Sequence, residues 1–168
     1  MPDAPGSSGS TDATQNTLPA SGRIAGIDYG TVRIGIAVTD PERRLASPHS
    51  IYNRRSRDAD ARFFRQLATE ERLAGFVVGL PVHTHGGESQ KSRESRAFGD
   101  WLTECTGLPV VYFDERYTTV AADELLGAAE LTRKQRKERR DKLAAQILLV
   151  AFLEAGQRAT TEAQRLDD

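Results

Sequence analysis

Two β-rich segments joined by a short turn constrain the fold of this chain more than any other part of its sequence. The first, residues 23–27, is apolar and runs into Asp28, and the second spans residues 34–38. Tyr29-Gly30-Thr31 lies between them and has the composition of a turn, which predicts a β-hairpin. Aspartate is unfavourable in strands, so Asp28 should have a specific role. It either binds a divalent cation or caps the strand and hydrogen-bonds the turn.

The length and composition predict one folded domain. A chain of 168 residues with 38% hydrophobic residues can bury one core. We expect a disordered tail at residues 1–21, a folded domain at 22–158 and a flexible tail at 159–168. The net charge of −1 excludes a globally basic nucleic-acid binder, so a polyanion would need a local basic patch. The absence of long apolar runs predicts no membrane association and a cytoplasmic location.

Beyond the hairpin, the spacing of apolar residues predicts the order β-β-β-α-β-α-β-α-α. The third to fifth strands are expected at 45–52, 76–81 and 110–113, and the helices at 57–72, 89–106, 118–130 and 141–157. Antiparallel strands followed by βα units imply an α/β fold. The prediction is a mixed five-stranded sheet with three antiparallel meander strands and helices on both faces.

Carboxylates are expected to meet where the parallel strands of this sheet end. Asp28 follows one strand and the pair Asp114-Glu115 follows another, and strand alternation lets one acid of the pair face Asp28. We favour Glu115, although the pair could also be an ordinary polar strand exit. Asp141 shares a helical face with apolar residues at i+3, i+4, i+7 and i+11, which would bring it over the strand ends. The alternative for Asp141 is a first-turn residue that stabilises the helix dipole.

Three acids without a histidine suit Mg²⁺ or Mn²⁺ better than zinc. Asp28, Glu115 and Asp141 are therefore the predicted metal ligands and catalytic residues, with Asp28 bridging two ions. Such a metal pair would hydrolyse a phosphodiester bond by activating water and stabilising the leaving oxygen. A site with so few protein ligands would be completed by substrate phosphate.

Basic residues near these acids predict contact with substrate phosphate. Six of the eight residues at 133–140 are basic, and they are Arg133, Lys134, Arg136, Lys137, Arg139 and Arg140. Their alternative role is a solvated helix face or a mobile loop. Arg33 and Arg116 each lie close to a candidate acid in sequence, where they would orient phosphate or neutralise the carboxylate.

Histidine and cysteine give weaker signals. His83 and His85 flank Thr84 in a glycine-containing loop with no third ligand nearby, so we expect them at the surface and not on zinc. Cys105 is the single cysteine, and its apolar helical setting favours packing over nucleophilic catalysis. It cannot form an internal disulfide, and nothing in the sequence supports a link between subunits.

Four ordered motifs resemble the YqgF/RuvX family of small bacterial proteins, which have the ribonuclease H-like fold and are related to Holliday junction resolvases. The motifs are GIDYGTVRIGIAVTD at 26–40, VGLP at 78–81, FDERYTT at 113–119 and DKLAAQILL at 141–149. The resemblance implies a metal site on Asp28, the Asp114-Glu115 pair and Asp141. The family often has Lys where this chain has Val32, and an Asn-Met-Asp-Gly loop where it has residues 83–86.

The resemblance also implies a nuclease that acts on structured nucleic acid. Within the family, function is divided between 5′-end processing of pre-16S ribosomal RNA and resolution of four-way DNA junctions, and the metal motifs do not separate the two. Two symmetric cuts in a junction would favour a homodimer, whereas an RNA processor could act as a monomer.

Two other classes of protein compete with this interpretation. Residues 28–31 also resemble the first phosphate loop of actin-like, Hsp70-like and sugar-kinase ATP-binding enzymes, but 168 residues leave little room for their second lobe. A nucleic-acid-binding module that does not cut is the other alternative. Retention of three acids argues against it, because uncompensated negative charge opposes phosphate binding.

Overall fold

The computed structural model describes residues 17–81, 88–127 and 130–166, which form five strands and four α-helices. The strands are β1 (Arg23–Asp28), β2 (Arg33–Thr39), β3 (Ala46–Asn53), β4 (Leu73–Leu80) and β5 (Val110–Asp114). The helices are α1 (Arg57–Glu70), α2 (Gln90–Thr106), α3 (Thr119–Leu126) and α4 (Arg133–Leu166). A 3₁₀ turn at Glu115–Thr118 joins β5 to α3. This order confirms the predicted succession of elements.

The five strands form one mixed sheet in the order β3-β2-β1-β4-β5. β1 is antiparallel to β2, which is antiparallel to β3, so the predicted hairpin and meander are confirmed. β1 is parallel to β4, and β4 is parallel to β5, with Leu80 paired to Asp114. The carboxyl ends of β1, β4 and β5 therefore lie at one edge of the sheet, where ligands of open α/β sheets bind.

Alternation along the strands sends side chains into a core on each face of the sheet. Ala25 and Ile27 of β1 join a core with Phe64 of α1 and Phe98 of α2. Ile24 points to the opposite face, where the core includes residues of α4. Helices thus cover both faces, as predicted, and Asp28 is on the α4 side because it is an even number of residues from Ile24.

Small residues let α4 approach the sheet closely. A Cβ atom on Gly26 would lie 3.0 Å from the Ala145 carbonyl oxygen and 3.0 Å from the Leu149 Cβ atom. A Cβ atom on Gly35 would lie 3.6 Å from the Ala145 Cβ atom. The Gln146 side chain also donates a 3.0 Å hydrogen bond to the carbonyl of Ala46 in β3. These contacts fix α4 over β1 and β2, close to the end of β1 where Asp28 lies.

The start of α4 differs from the prediction. The helix begins at Arg133, so the basic segment forms its first turns and Asp141 lies in its interior. The interpretation of Asp141 as a first-turn residue is therefore wrong. The segment is helical because its residues are good helix formers without Gly or Pro, and the Thr132 hydroxyl accepts a hydrogen bond from the Gln135 backbone at the helix start.

Described residues lie on both sides of the domain expected at 22–158. α4 continues to Leu166 across most of the segment that we expected to be a flexible tail, and Thr160 and Thr161 bond back to carbonyls one turn earlier. At the other end, Leu18 packs against the core beneath α4, within the expected disordered tail. Residues 1–16 of that tail and the residues 82–87, which include His83 and His85, lie outside the described residues.

Two further observations concern membranes and Cys105. None of the described helices is long and apolar enough to cross a membrane. Cys105 is partly buried and packs against the core beneath α1 and α2, which agrees with the predicted packing role.

Candidate active site

Asp28 ends β1 and is half-buried between the sheet and α4. Its Cβ atom would lie 3.5 Å from a Cβ atom on Gly35, so glycine at that position leaves room for the carboxylate. Burial is the main cause that raises the pKa of Asp28, and the charge of Asp141 raises it further. Lys91 opposes this effect and lowers the pKa. Asp28 is therefore a carboxylate that is costly to keep ionised without a nearby cation.

Glu115 is the acid of the Asp114-Glu115 pair that faces Asp28. Its Oε1 atom would lie 2.8 Å from a Cβ atom on Gly79 of β4, so the side chain crosses the sheet edge above that glycine. Burial raises the pKa of Glu115, and the charge of Asp28 is the next cause. Lys91 and Arg140 lower it. The two carboxylates thus repel each other across the ends of parallel strands.

Asp114 points away from this group and binds Arg116. Its Oδ2 atom accepts hydrogen bonds from Arg116 Nε at 2.8 Å and from Nη2 at 2.6 Å. This contact is the main cause that lowers the pKa of Asp114 below its usual range. The arrangement agrees with the choice of Glu115 over Asp114, and it shows that Arg116 neutralises an acid outside the group.

Asp141 is exposed and reaches the same edge from α4. It lines a cleft with Asp28 and raises the pKa of Asp28 by its charge. Its position follows from the close packing of Ala145 one turn further along the helix. Asp28 therefore lies next to both of the other acids selected from the sequence: it shares one cleft with Glu115 and a second cleft with Asp141.

Two clefts meet at Asp28. One has a volume of about 360 Å³ and lies between the β1–β2 turn and the start of α2, with Lys91 and Glu115 in its wall. The other has a volume of about 500 Å³ and lies beside α4, with Asp141 and Lys142 in its wall. Asp28 and Arg33 line both clefts. A polymer that occupies both would pass directly over Asp28.

The donor set fits a hard divalent cation that keeps some of its water. Within residues 17–81, 88–127 and 130–166, no three histidine, cysteine or acidic side chains are grouped so that they could hold a metal ion by themselves. Carboxylate oxygens are nevertheless the preferred ligands of Mg²⁺ and Mn²⁺, and Mg²⁺ often uses few protein ligands together with substrate phosphate. The mutual repulsion of Asp28 and Glu115 is the feature that a cation would relieve.

The predicted phosphate-binding residues divide into two groups. Arg136 forms an ion pair with Asp123, with 2.8 Å between Nη2 and Oδ1, and Arg116 is held by Asp114. The remaining side chains are exposed and form no ion pair with another described residue, and they are Arg33, Arg133, Lys134, Lys137, Arg139 and Arg140. Arg33 lies in both clefts, and Arg140 acts electrostatically on Glu115.

Sequence reasoning missed Lys91, Glu138 and Lys142, which line the clefts beside the three acids. The signal for Lys91 was its position in the first turn of α2, because the helix that follows a parallel strand begins at the same edge of the sheet. Glu138 lies about one helical turn before Asp141, and Lys142 directly follows it. Their selection would have required knowing that α4 begins at Arg133, before both residues.

The fold places the chain in a known structural class. It is similar to Thermus thermophilus RuvC in complex with Holliday junction substrate, with a TM-score of 0.51, 12% sequence identity, and coverage of 77% of this chain and 91% of that chain. The class is the ribonuclease H-like fold, which confirms the fold predicted from the sequence.

The family follows from sequence comparisons. The family model of RuvX, described as Holliday junction resolvase, matches residues 22–155. A relative from Rhodopirellula baltica, named "Putative pre-16S rRNA nuclease", is 52% identical over 145 residues, which cover 86% of this chain and 84% of the relative. A relative of the same name from Rhizobium meliloti is 40% identical and covers 82% and 83% of the two chains. The chain belongs to the RuvX family, which is a family of nucleases.

Proposed function

We propose that the chain is a Mg²⁺- or Mn²⁺-dependent endonuclease that trims the 5′ end of pre-16S ribosomal RNA. The observation that carries this proposal is the position of Asp28 at the carboxyl end of β1, where it shares one cleft with Glu115 and another with Asp141. Relatives with up to 52% identity carry the name "Putative pre-16S rRNA nuclease", which supports this choice of substrate. Since ribosomal RNA precursors are cytoplasmic in bacteria, we place the protein in the cytoplasm.

Asp28, Glu115 and Asp141 would hold the cation, with Asp28 in the central position between the other two acids. Bound Mg²⁺ or Mn²⁺ would lower the pKa of an attacking water molecule and stabilise the leaving oxygen of the phosphodiester bond. Asp28 and Glu115 are partly shielded from solvent, and this strengthens their interaction with the cation. Their positions on strand ends keep the ligand geometry fixed while substrate binds.

Basic side chains would hold the nucleic acid over these acids. Arg33 lines both clefts and is placed to contact the phosphate next to Asp28. The exposed basic residues in the first turns of α4 would grip phosphates further along the chain, on the side of the larger cleft. Such contacts release counterions, so binding should weaken steeply as salt increases.

A four-way DNA junction is the second candidate substrate. The description of the matching family model as Holliday junction resolvase is the observation that favours it. Junction resolution requires two symmetric cuts, and a homodimer would supply them. Metal ligation alone does not distinguish the two substrates, because discrimination between RNA and DNA depends on groove shape and 2′-hydroxyl contacts.

The test is cleavage of a labelled pre-16S 5′ fragment and a synthetic four-way junction, side by side, with Mg²⁺, Mn²⁺ or EDTA. We compare the wild type with Asp28→Asn and with Asp58→Asn, which removes an exposed acid from α1. Cleavage of the RNA by the wild type and Asp58→Asn, but not by Asp28→Asn or in EDTA, is the expected result. Selective cutting of the junction would mean that branched DNA, and not RNA, is the substrate. Binding without metal-dependent cutting would indicate a non-cleaving module.

A further inference from the structure

The start of α2 is held firmly at the edge of the sheet where the candidate acids meet. Ser89 caps the helix, and its side-chain oxygen accepts a 3.1 Å hydrogen bond from the Ser92 backbone. Ser92 is buried, and its hydroxyl donates a 3.0 Å hydrogen bond to Glu88. Lys91 lies between these two anchored residues. Its backbone is therefore fixed, while its side chain is exposed and extends from the first turn of the helix.

Lys91 shares the 360 Å³ cleft with Asp28 and Glu115. Its positive charge reaches both acids, because it lowers the pKa of each against the effect of burial. Arg33 is the other basic residue in the wall of this cleft. Glu94, the remaining acid there, accepts a 3.1 Å hydrogen bond from Gln90 one turn earlier.

Lys91 is not committed to a partner in the part of the chain that the structure describes. It forms no ion pair there, in contrast to Arg116 and Arg136, which bind Asp114 and Asp123. A cation bound by Asp28 and Glu115 would replace Lys91 as the positive charge that compensates these carboxylates. Glu94, the acid that remains in this cleft, is hydrogen-bonded to Gln90 and forms no ion pair with Lys91 among the described residues. The Lys91 ammonium group would then be available in an open cleft, which is the setting that favours a phosphate ligand.

We infer that Lys91 contacts a backbone phosphate of the nucleic acid in the cleft beyond Asp28, on the opposite side of the acids from α4. The substrate path then runs from the basic turns of α4, across Asp28, to the start of α2. Lys91 is a substrate-positioning residue in this arrangement, and the two clefts hold the segments on either side of the bond that is cut. This inference rests on the proposed nuclease function.

The test measures binding of the two labelled nucleic acids by fluorescence anisotropy over a range of salt concentrations, with Ca²⁺ in place of Mg²⁺. Lys91→Gln should reduce the slope of log K against log salt by about one and weaken binding roughly fivefold to tenfold near 0.1 M salt. Lys91→Arg should retain the slope. The matched control is Arg93→Gln, which removes one exposed charge from the same helix turn outside the cleft and should leave the slope unchanged.

The outcomes separate this inference from the proposed function. If Lys91 served only to neutralise the carboxylates, Lys91→Gln would tighten Ca²⁺ binding and would match Arg93→Gln in salt slope. If the wild type still cleaves its substrate, that result would overturn the phosphate contact of Lys91 and leave the proposed nuclease function standing. A wild type that binds neither nucleic acid would overturn the proposed function and the role of Lys91 together.

Discussion

The guanidinium group of Arg54 donates a 3.0 Å hydrogen bond to the hydroxyl group of Tyr29. The same guanidinium lies 5.4 Å from the centre of the Tyr29 ring and donates to the carboxylate of Asp60 in α1. Asp60 is 1% exposed and also accepts a 2.7 Å hydrogen bond from Tyr52. Since Tyr29 directly follows Asp28, this partly buried network connects α1 to the backbone beside the candidate active site.

Replacement of Asp60 should destabilise the fold. Burial raises the pKa of Asp60, but hydrogen bonds from the Arg55 backbone, Tyr52 and Arg54 outweigh burial and lower it overall. A pKa that is lowered in the folded state stabilises the protein at pH values above the pKa of the unfolded state. This contribution is lost as the pH falls through the pKa of the folded state. We expect Asp60→Asn to lower the free energy of unfolding by about 2–3 kcal/mol at pH 7, measured by urea denaturation. Exposed Asp58→Asn should change it by less than about 1 kcal/mol.

Removal of the Asp28 charge should have the opposite dependence on pH. Because burial and Asp141 raise the pKa of Asp28, the folded state holds this proton more tightly than the unfolded state. Its contribution to stability is present below the ordinary aspartate pKa and is lost as pH rises through the raised value. We therefore compare the melting temperatures of Asp28→Asn and the wild type in EDTA as the pH is raised from acidic to neutral. The difference between them should change in favour of the variant over this range.

The same pair of proteins tests metal binding. Mg²⁺ or Mn²⁺ should raise the melting temperature of the wild type near neutral pH, because a cation stabilises the ionised acids. The Asp28→Asn variant should show a much smaller increase. Equal metal-induced shifts in the two proteins would place the cation elsewhere.

A methyl group at Gly79 should impair activity more than stability. It would lie 2.8 Å from Glu115 Oε1 and 3.3 Å from Leu148 Cδ1, so the Glu115 carboxylate would have to move. We expect Gly79→Ala to reduce cleavage at least tenfold while lowering the free energy of unfolding by about 1 kcal/mol. Gly156→Ala in α4 is the matched control, since no described atom beyond its chain neighbours and its own helix backbone lies within 4 Å of the added Cβ. It should retain activity and gain about 0.5–1 kcal/mol of stability.

The exposed basic side chains of α4 should contribute to salt-dependent binding. Arg139→Gln should weaken binding of both labelled nucleic acids and reduce the salt slope by about one. Arg62→Gln removes an exposed charge from α1, which packs on the opposite face of the sheet, and should leave the slope unchanged. Equal effects of the two variants would mean that only net charge matters.

The sequence was informative where local pattern decides structure. Alternating and continuous apolar runs predicted every strand, and parallel strand ends explain why Asp28 and Glu115 could be selected together. The start of α4 could not be predicted from apolar spacing, because residues 133–140 contain no apolar residue. Helix propensity and the Thr132 cap determine it instead. Lys91 was missed because its distance from Asp28 depends on packing of α2 and not on separation along the chain.

One consequence concerns the length of α4 between Asp141 and the sheet. Ala145 packs above Gly26 and Gly35, and Asp141 lies four residues before it, little more than one helical turn away. An insertion or deletion of a single residue between them would rotate Asp141 by about 100° around the helix axis and direct its carboxylate away from Asp28. The basic turns would rotate with it. Homologous proteins can therefore vary the residues of this segment, but we expect the number of residues between the acid and the contact alanine to be invariant.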